Sequence, residues 1–276
     1  MPELAEVEYF RKQWDVGIGD TVGAVRLHGE KRIFRGTDVV ALKRYLTNQK
    51  LRWSKARGKQ MLFVFAGDKP EKVGRRKDIR CWLGIHLGMS GRLRVEPPNF
   101  RAGKHDHLVL QQAKRALVFS DARQFGRVRF DQGANPPAWW EASAPEIVSR
   151  AFTQAKMQEF VRRHGRAPIK AVLLLQSGFP GIGNWMADEI LWRARIAPDR
   201  QGSKLSVKQL GALWRSTRFV SRVSLSTLGH DDSDPPKSWL LHDRWRPGGH
   251  CPRDKQKLRR ATIGGRTTVW CSRCQH

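Results

Sequence analysis

The chain has 276 residues, enough for two domains with cores of their own, and sets 52 Lys and Arg against 25 Asp and Glu for a formal net charge of +27. A basic excess spread along the whole chain points to a polyanion as partner, and 11 Trp with 12 Phe exclude a disordered basic arm. No run approaches the roughly 20 apolar residues of a membrane span, and the glutamate-rich start does not read as a signal or transit peptide, so the expectation is a soluble, cytoplasmic protein.

In chain order, residues 3–15 read as a short helix. Thr21 to Phe34 and Leu51 to Phe65 follow as strands flanking a short helix at Val39 to Leu46. Trp82 to Val95, His107 to Gln111, Ala116 to Phe119 and Arg127 to Phe130 continue the strand pattern, which suits a β-sandwich. Gly133-Ala134-Asn135-Pro136-Pro137 breaks regular structure and marks a domain boundary. Apolar residues then recur at helical spacing from Ile147 to His164. A second helix runs from Pro168 to Gln176, and the Gly-rich turn Gly178 to Gly183 leads into a third, which Asn184 is expected to cap. Ser206 and Gln209 form a capping box opening a fourth helix, with Val207, Leu210, Leu213 and Trp214 on one face. Asp231 to Pro236 reads as a loop, and the tail from His242 is basic and cysteine-bearing.

Three stretches carry chemistry. Met1 before a residue as small as Pro2 is suited to removal, which leaves a free imino nitrogen; such terminal amines titrate near about 7.7–8.0 and attack carbon bearing a leaving group. Glu3 would be its acid or base, although Pro2 with Glu3, Glu6 and Glu8 equally suits an ordinary helix start. Gly181-Ile182-Gly183-Asn184 before a helix suits a phosphate, since free N–H groups and the helix dipole both favour an anion. Cys271 and Cys274 form a C-x-x-C pair with Cys251 nearby, a metal pattern rather than a disulfide framework, while Cys81 reads as packing.

The run Pro2-Glu3-Leu4-Ala5-Glu6-Val7-Glu8 resembles the amino terminus of the formamidopyrimidine-DNA glycosylase / endonuclease VIII family, with Ala5 where that family has a second proline. His86-Leu87-Gly88-Met89-Ser90-Gly91 and Asp121-Ala122-Arg123-Gln124-Phe125-Gly126 are similar to two further family stretches. The second of these departs from the family pattern at Ala122 and Gln124. The resemblance implies a mixed α+β, multidomain fold: a catalytic β-sandwich domain with an N-terminal helix at 1–135, a helix–two-turn–helix DNA-binding domain at 136–238, and a zinc-finger-like β-hairpin at 239–276. It implies Pro2, Glu3 and Lys59 as catalytic residues. Met89 would fill the gap left by an extruded nucleotide, Arg123 would pair with the orphaned opposite base and Phe125 would wedge beside it, with Arg123 and Phe125 on one face of an extended segment. Asn184, Arg266, His86 and Lys170 would be DNA contacts.

The tail resembles the family's zinc finger with one change, Asp254 standing where a cysteine is usual. The implied structural zinc ligands are Cys251, Cys271, Cys274 and Asp254, with His250, His242 or His276 as substitutes for the fourth. Lys104-His105-Asp106-His107 also resembles a family stretch; it could suggest a metal site, but neighbouring strand residues face opposite ways, so it reads as a structural segment that also allows a phosphate contact. The implied function is a base-excision repair DNA glycosylase with AP lyase activity, a monomer acting on damaged double-stranded DNA in the bacterial nucleoid. Two alternatives are a non-catalytic damaged-DNA-binding protein on the same scaffold and an RNA-binding protein; the latter is disfavoured because a wedge suits duplexes.

Overall fold

The structure is a computed structural model that describes residues 1–67 and 79–276. The chain divides into two compact units, one comprising residues 1–2 and 6–143, the other residues 3–5 and 144–276.

The first unit is a sandwich of two four-stranded antiparallel sheets. Strands β1 (Val22–Leu27), β6 (Asp106–Gln112), β7 (Ala116–Ser120) and β5 (Arg92–Glu96) form one sheet in that order. The other sheet runs β2 (Lys50–Arg57), β3 (Gln60–Ala66), β4 (Arg80–His86), β8 (Arg127–Gly133). Val25, Leu110 and Phe119 of the first sheet and Phe63, Leu83 and Val128 of the second share one buried core. The second sheet is covered on its other face too. Leu62, Val64 and Trp82 pack there beneath Trp139 and Trp140 of α3 (Ala138–Glu141), so β3 and β4 read as continuous apolar runs rather than alternating ones.

Two expected strands are each divided by a turn. The run from Leu51 to Phe65 is the β2–β3 hairpin, with Arg57 paired to Gln60 and Gly58 at φ +61°, as a two-residue turn requires. Trp82 to Val95 is β4 and β5, separated by the turn that carries Met89. Arg32 to Phe34 is a 3₁₀ turn beyond β1, whereas the helix expected at Val39 to Leu46 is α2 (Val39–Leu46), capped by Asp38. The N-terminal helix is α1 (Leu4–Gln13).

The second unit is helical. Its core joins α4 (Gln154–Arg163), α5 (Ile169–Leu173), α6 (Asn184–Ala194) and α7 (Val207–Ser226), followed by the short helices α8 (Leu228–Asp231) and α9 (Leu240–Arg244). The helix expected from Ile147 begins only at Gln154, because Thr153 caps it and Arg218 collects the carbonyls of Ile147, Val148 and Ser149 in an irregular segment. The capping box of α7 forms as expected between Ser206 and Gln209. Val207, placed by its spacing on the apolar face, is instead 67% exposed. The chain ends in an antiparallel hairpin, β9 (Arg259–Ile263) and β10 (Arg266–Trp270), turned by Gly264 and Gly265 at φ +58° and +73°. Among the described residues, no helix is long and apolar enough to cross a membrane.

Candidate active site

Glu3 is 3% exposed and is the cap of a helix 180 residues away. Its Oε2 accepts from the backbone N–H of Gly183 (3.0 Å) and Met186 (3.1 Å), and its Oε1 from that of Trp185 (2.9 Å). These N–H groups at the start of α6 have no partners within the helix, and here they replace water around a buried carboxylate. A Cβ on Gly183 would lie 2.3 Å from the Glu3 Cδ, so only glycine leaves room for this contact. Asn184, expected as the cap, is instead the first residue of α6, and Gly183 occupies the cap position with no side chain to offer. The cap is supplied from Glu3, which is why no local sequence signal shows it. Pro2, immediately before Glu3, is partly exposed.

Asn184 is tied to the hairpin, its Nδ2 donating to the Thr267 carbonyl (2.8 Å). Arg244 Nη2 donates to the same carbonyl (3.2 Å). Arg244 also binds the buried Asp188 of α6 (2.7 Å), whose other oxygen takes the Lys170 ammonium (2.5 Å). Lys170 is fully buried and also donates to the Asn184 carbonyl (2.7 Å). Its expected phosphate contact is therefore corrected: the ammonium is spent inside the unit, joining α5 to α6. Burial lowers its pKa, and Asp188 opposes that shift. Asp188 further accepts from the Val269 N–H (3.2 Å), so one carboxylate anchors α5, α9 and β10 to α6. This anchoring leaves Arg266 exposed at the hairpin tip, one residue from the carbonyl that Asn184 holds. Asp188 and Arg244 were missed as supports. The available signal was the adjacent pair Asp188-Glu189 in mid-helix, set among Trp185, Met186, Ile190 and Leu191.

In the first unit, Lys59 sits in the β2–β3 turn and is 8% exposed. His86 ends β4, paired across the sheet with Gln60 and Arg127. Burial pushes its pKa down to about 4, with Lys59, Arg129 and Arg35 adding to the effect. Its Nδ1 accepts from the Gly88 N–H (3.1 Å), so the neutral ring carries its proton on Nε2 and is a donor without being a charge.

Met89 is 41% exposed and Phe125 44%. Gly88, at φ +64°, lets the Met89 turn press against Phe125 and Gly126, where a Cβ would meet backbone at 2.4 Å. Arg123 and Phe125 do come together, the guanidinium lying 4.9 Å from the ring centroid. They do so through a turn with Gln124 at φ +53°, not through the extended segment expected.

Asp121 binds the two wedge segments to each other. Its Oδ1 accepts from Ser90 Oγ (2.7 Å) and the Arg123 N–H (3.2 Å), and its Oδ2 from the Gly126 N–H (2.7 Å). Its carbonyl lies 2.9 Å from His107 Nε2, and Asp106 engages Arg94, Ser120 and the Gly103 N–H. Asp106 and His107 are accordingly structural, while Lys104 and His105 are exposed.

At the end of the chain, ligand atoms of Cys251, Asp254, Cys271 and Cys274 all lie within 4.8 Å of one another. Of the residues considered for the fourth position, Asp254 is the one that joins the thiols; His242 instead binds the Pro235 carbonyl. Burial first, and then Asp254, push the Cys274 thiol up to about 12. The Cys251 and Cys274 sulfurs are 3.8 Å apart. That is the spacing of two sulfurs placed tetrahedrally about 2.3 Å from a zinc ion. Trp192 Nε1 donates to Cys251 Sγ (3.3 Å), a second layer of support for that ligand.

Residues 1–128 match the formamidopyrimidine-DNA glycosylase N-terminal domain and residues 143–231 the H2TH domain of the same family. The chain belongs to the formamidopyrimidine-DNA glycosylase family. Membership makes it a DNA glycosylase/AP lyase of base-excision repair. Among curated relatives, the formamidopyrimidine-DNA glycosylase of Roseiflexus sp. is 38% identical, covering 78% of this chain and 85% of its own, and that of Stenotrophomonas maltophilia K279a is 30% identical over the full length of both. Among solved structures, the Lactococcus lactis glycosylase with an oxidized-pyrimidine-containing DNA superposes at a TM-score of 0.84 with 25% identity over 100% of both chains, and its complex with an abasic-site-containing DNA at 0.83 over 99% of both. The cysteine and aspartate cluster fits the zinc finger of that family.

Proposed function

We propose that this glycosylase acts on damaged double-stranded DNA, with the Pro2 nitrogen as nucleophile once Met1 is removed. Attack at C1′ of the extruded nucleotide expels the damaged base and gives a Schiff base between Pro2 and the opened sugar. The iminium then acts as an electron sink: loss of a 2′ proton expels the 3′ phosphate, and a second elimination expels the 5′ phosphate, leaving a one-nucleoside gap. Glu3 assists ring opening and carries protons. The observation that supports this assignment is the Glu3 carboxylate, buried and fixed by three backbone N–H donors on the residue next to Pro2.

Lys59 and neutral His86 hold a phosphate near the scissile bond. Asn184, with its second amide proton, and Arg266 hold phosphates around the extruded nucleotide. Met89, Arg123 and Phe125 fill the gap that extrusion leaves, replacing stacking worth a few kcal/mol. Zinc, held by Cys251, Asp254, Cys271 and Cys274, is structural: it fixes the loop and hairpin that carry Arg266 and takes no part in the chemistry. The protein works as a monomer in the cytoplasm.

The test is a duplex carrying one oxidised or ring-opened base, with the nicked strand resolved by end chemistry. Phosphate on both sides of a one-nucleoside gap is expected. Tight binding without nicking would favour a non-catalytic damage binder on the same scaffold.

A further inference from the structure

At the β8 edge of the second sheet, arginines gather without acidic partners. The segment Arg35-Gly36-Thr37 runs beside Gly126-Arg127-Val128: Arg35 Nη1 donates to the Gly126 carbonyl (2.9 Å) and Thr37 Oγ1 to the Val128 carbonyl (2.7 Å). A Cβ on Gly36 would lie 3.6 Å from Arg127 Nη2. Arg127 and Arg129 alternate with the core residue Val128, so both project from the opposite face of β8, and Arg127 is directly across from His86.

Among the described residues, none of Arg32, Arg35, Arg127 and Arg129 has a carboxylate within ion-pair distance. Asp131 is the acidic group nearest in effect to Arg129, but its Oδ2 is engaged by Trp139 Nε1 (2.9 Å). The cluster opposes its own charge. Burial and then Arg127 and Arg32 lower the Arg35 pKa, and burial, Arg127 and Arg35 lower that of Arg129. Arg127 Nε is buried with no partner at all. Arg129 lies over the Trp139 ring (4.8 Å to its centroid) and Arg35 donates to backbone carbonyls, but neither contact offsets the like charges or satisfies Arg127 Nε. An anion repairs both defects.

We propose that Arg35, Arg127 and Arg129 form a second phosphodiester site, beside the phosphate assigned to Lys59 and His86, that takes another backbone phosphate of the bound duplex. The site presupposes duplex binding by this chain. A planar guanidinium suits it better than lysine, since two N–H groups can meet two phosphate oxygens.

The test is equilibrium binding of the full-length protein to a duplex with one tetrahydrofuran abasic-site analogue, at 0.05 to 0.3 M KCl, beside thermal melting. Losing one phosphate contact flattens the log–log salt slope by about 0.9, close to tenfold in affinity at 0.1 M salt. Arg127→Gln should show that change with no fall in melting temperature, since it relieves repulsion, and Arg127→Lys should keep the slope. Arg35→Gln, expected to flatten the slope likewise, carries the test if Arg127→Gln does not fold. Slopes equal to wild type in the glutamine variants overturn the site while leaving the assigned function standing. A wild-type protein that does not bind the duplex overturns both.

Discussion

Glu3→Gln is the substitution whose cost the structure defines most closely. The wild-type carboxylate gives one oxygen to Gly183 and Met186 and the other to Trp185. A glutamine has one oxygen, so its NH2 must face at least one of these buried N–H groups and leave it without an acceptor, at about 1–3 kcal/mol. Losing the negative charge at the α6 N-terminus adds up to about 2 kcal/mol. The total, about 1–5 kcal/mol, corresponds to a fall of about 4–20 °C in the melting transition of the second unit, at about 4 °C per kcal/mol. Calorimetry on wild type and Glu3→Gln reads this directly. Gly183→Ala should fall similarly, because its Cβ would displace Glu3. The double variant Glu3→Ala/Gly183→Ala should lose less than the sum, since the clash is gone. A Glu3→Gln transition within about 2 °C of wild type would refute the cap and with it the structural basis for assigning Glu3 a catalytic place.

Three further outcomes follow from the site geometry. His86 is protonated less readily folded than unfolded, so its neutral form contributes fully above about 6.5 and the protein loses stability as pH falls from 6.5 to about 4, by at most about 3 kcal/mol; a pH series of denaturant midpoints should flatten over that window in His86→Gln. Asp121→Ala releases Ser90, Arg123 N–H and Gly126 N–H together, and fluorescence of 2-aminopurine opposite the lesion should show slower extrusion by an order of magnitude with duplex affinity nearly kept. Metal analysis should give one zinc per chain, and Asp254→Cys should hold it longer against a chelator while Asp254→Ala releases it faster.

The parts of the molecule legible in the sequence are those whose signals are local. The Ser206–Gln209 capping box and the spacing of Cys271 and Cys274 each need only a few neighbouring residues, and each appears as expected. What escaped depends on residues far apart in the chain. Asn184 looks like a helix cap until Glu3 arrives from the other end, and Lys170 looks like a surface lysine until Asp188 and Arg244 enclose it. Asp121 stood inside a recognised stretch, but its importance lies in reaching back to Ser90, which spacing cannot show. The two divided strands failed differently. Gly58-Lys59 and Gly88-Met89 are turn signals, but the apolar residues flanking them hid the break, because the second sheet is buried on both faces.

The central claim, that Pro2 is the nucleophile, is tested most directly by borohydride reduction of the protein on a duplex with one abasic site, followed by peptide mapping of the adduct. The expected result is a covalent crosslink on the Pro2 nitrogen of chains that have lost Met1, absent in chains that retain it. A crosslink on a lysine, or none despite tight binding and confirmed loss of Met1, would contradict it.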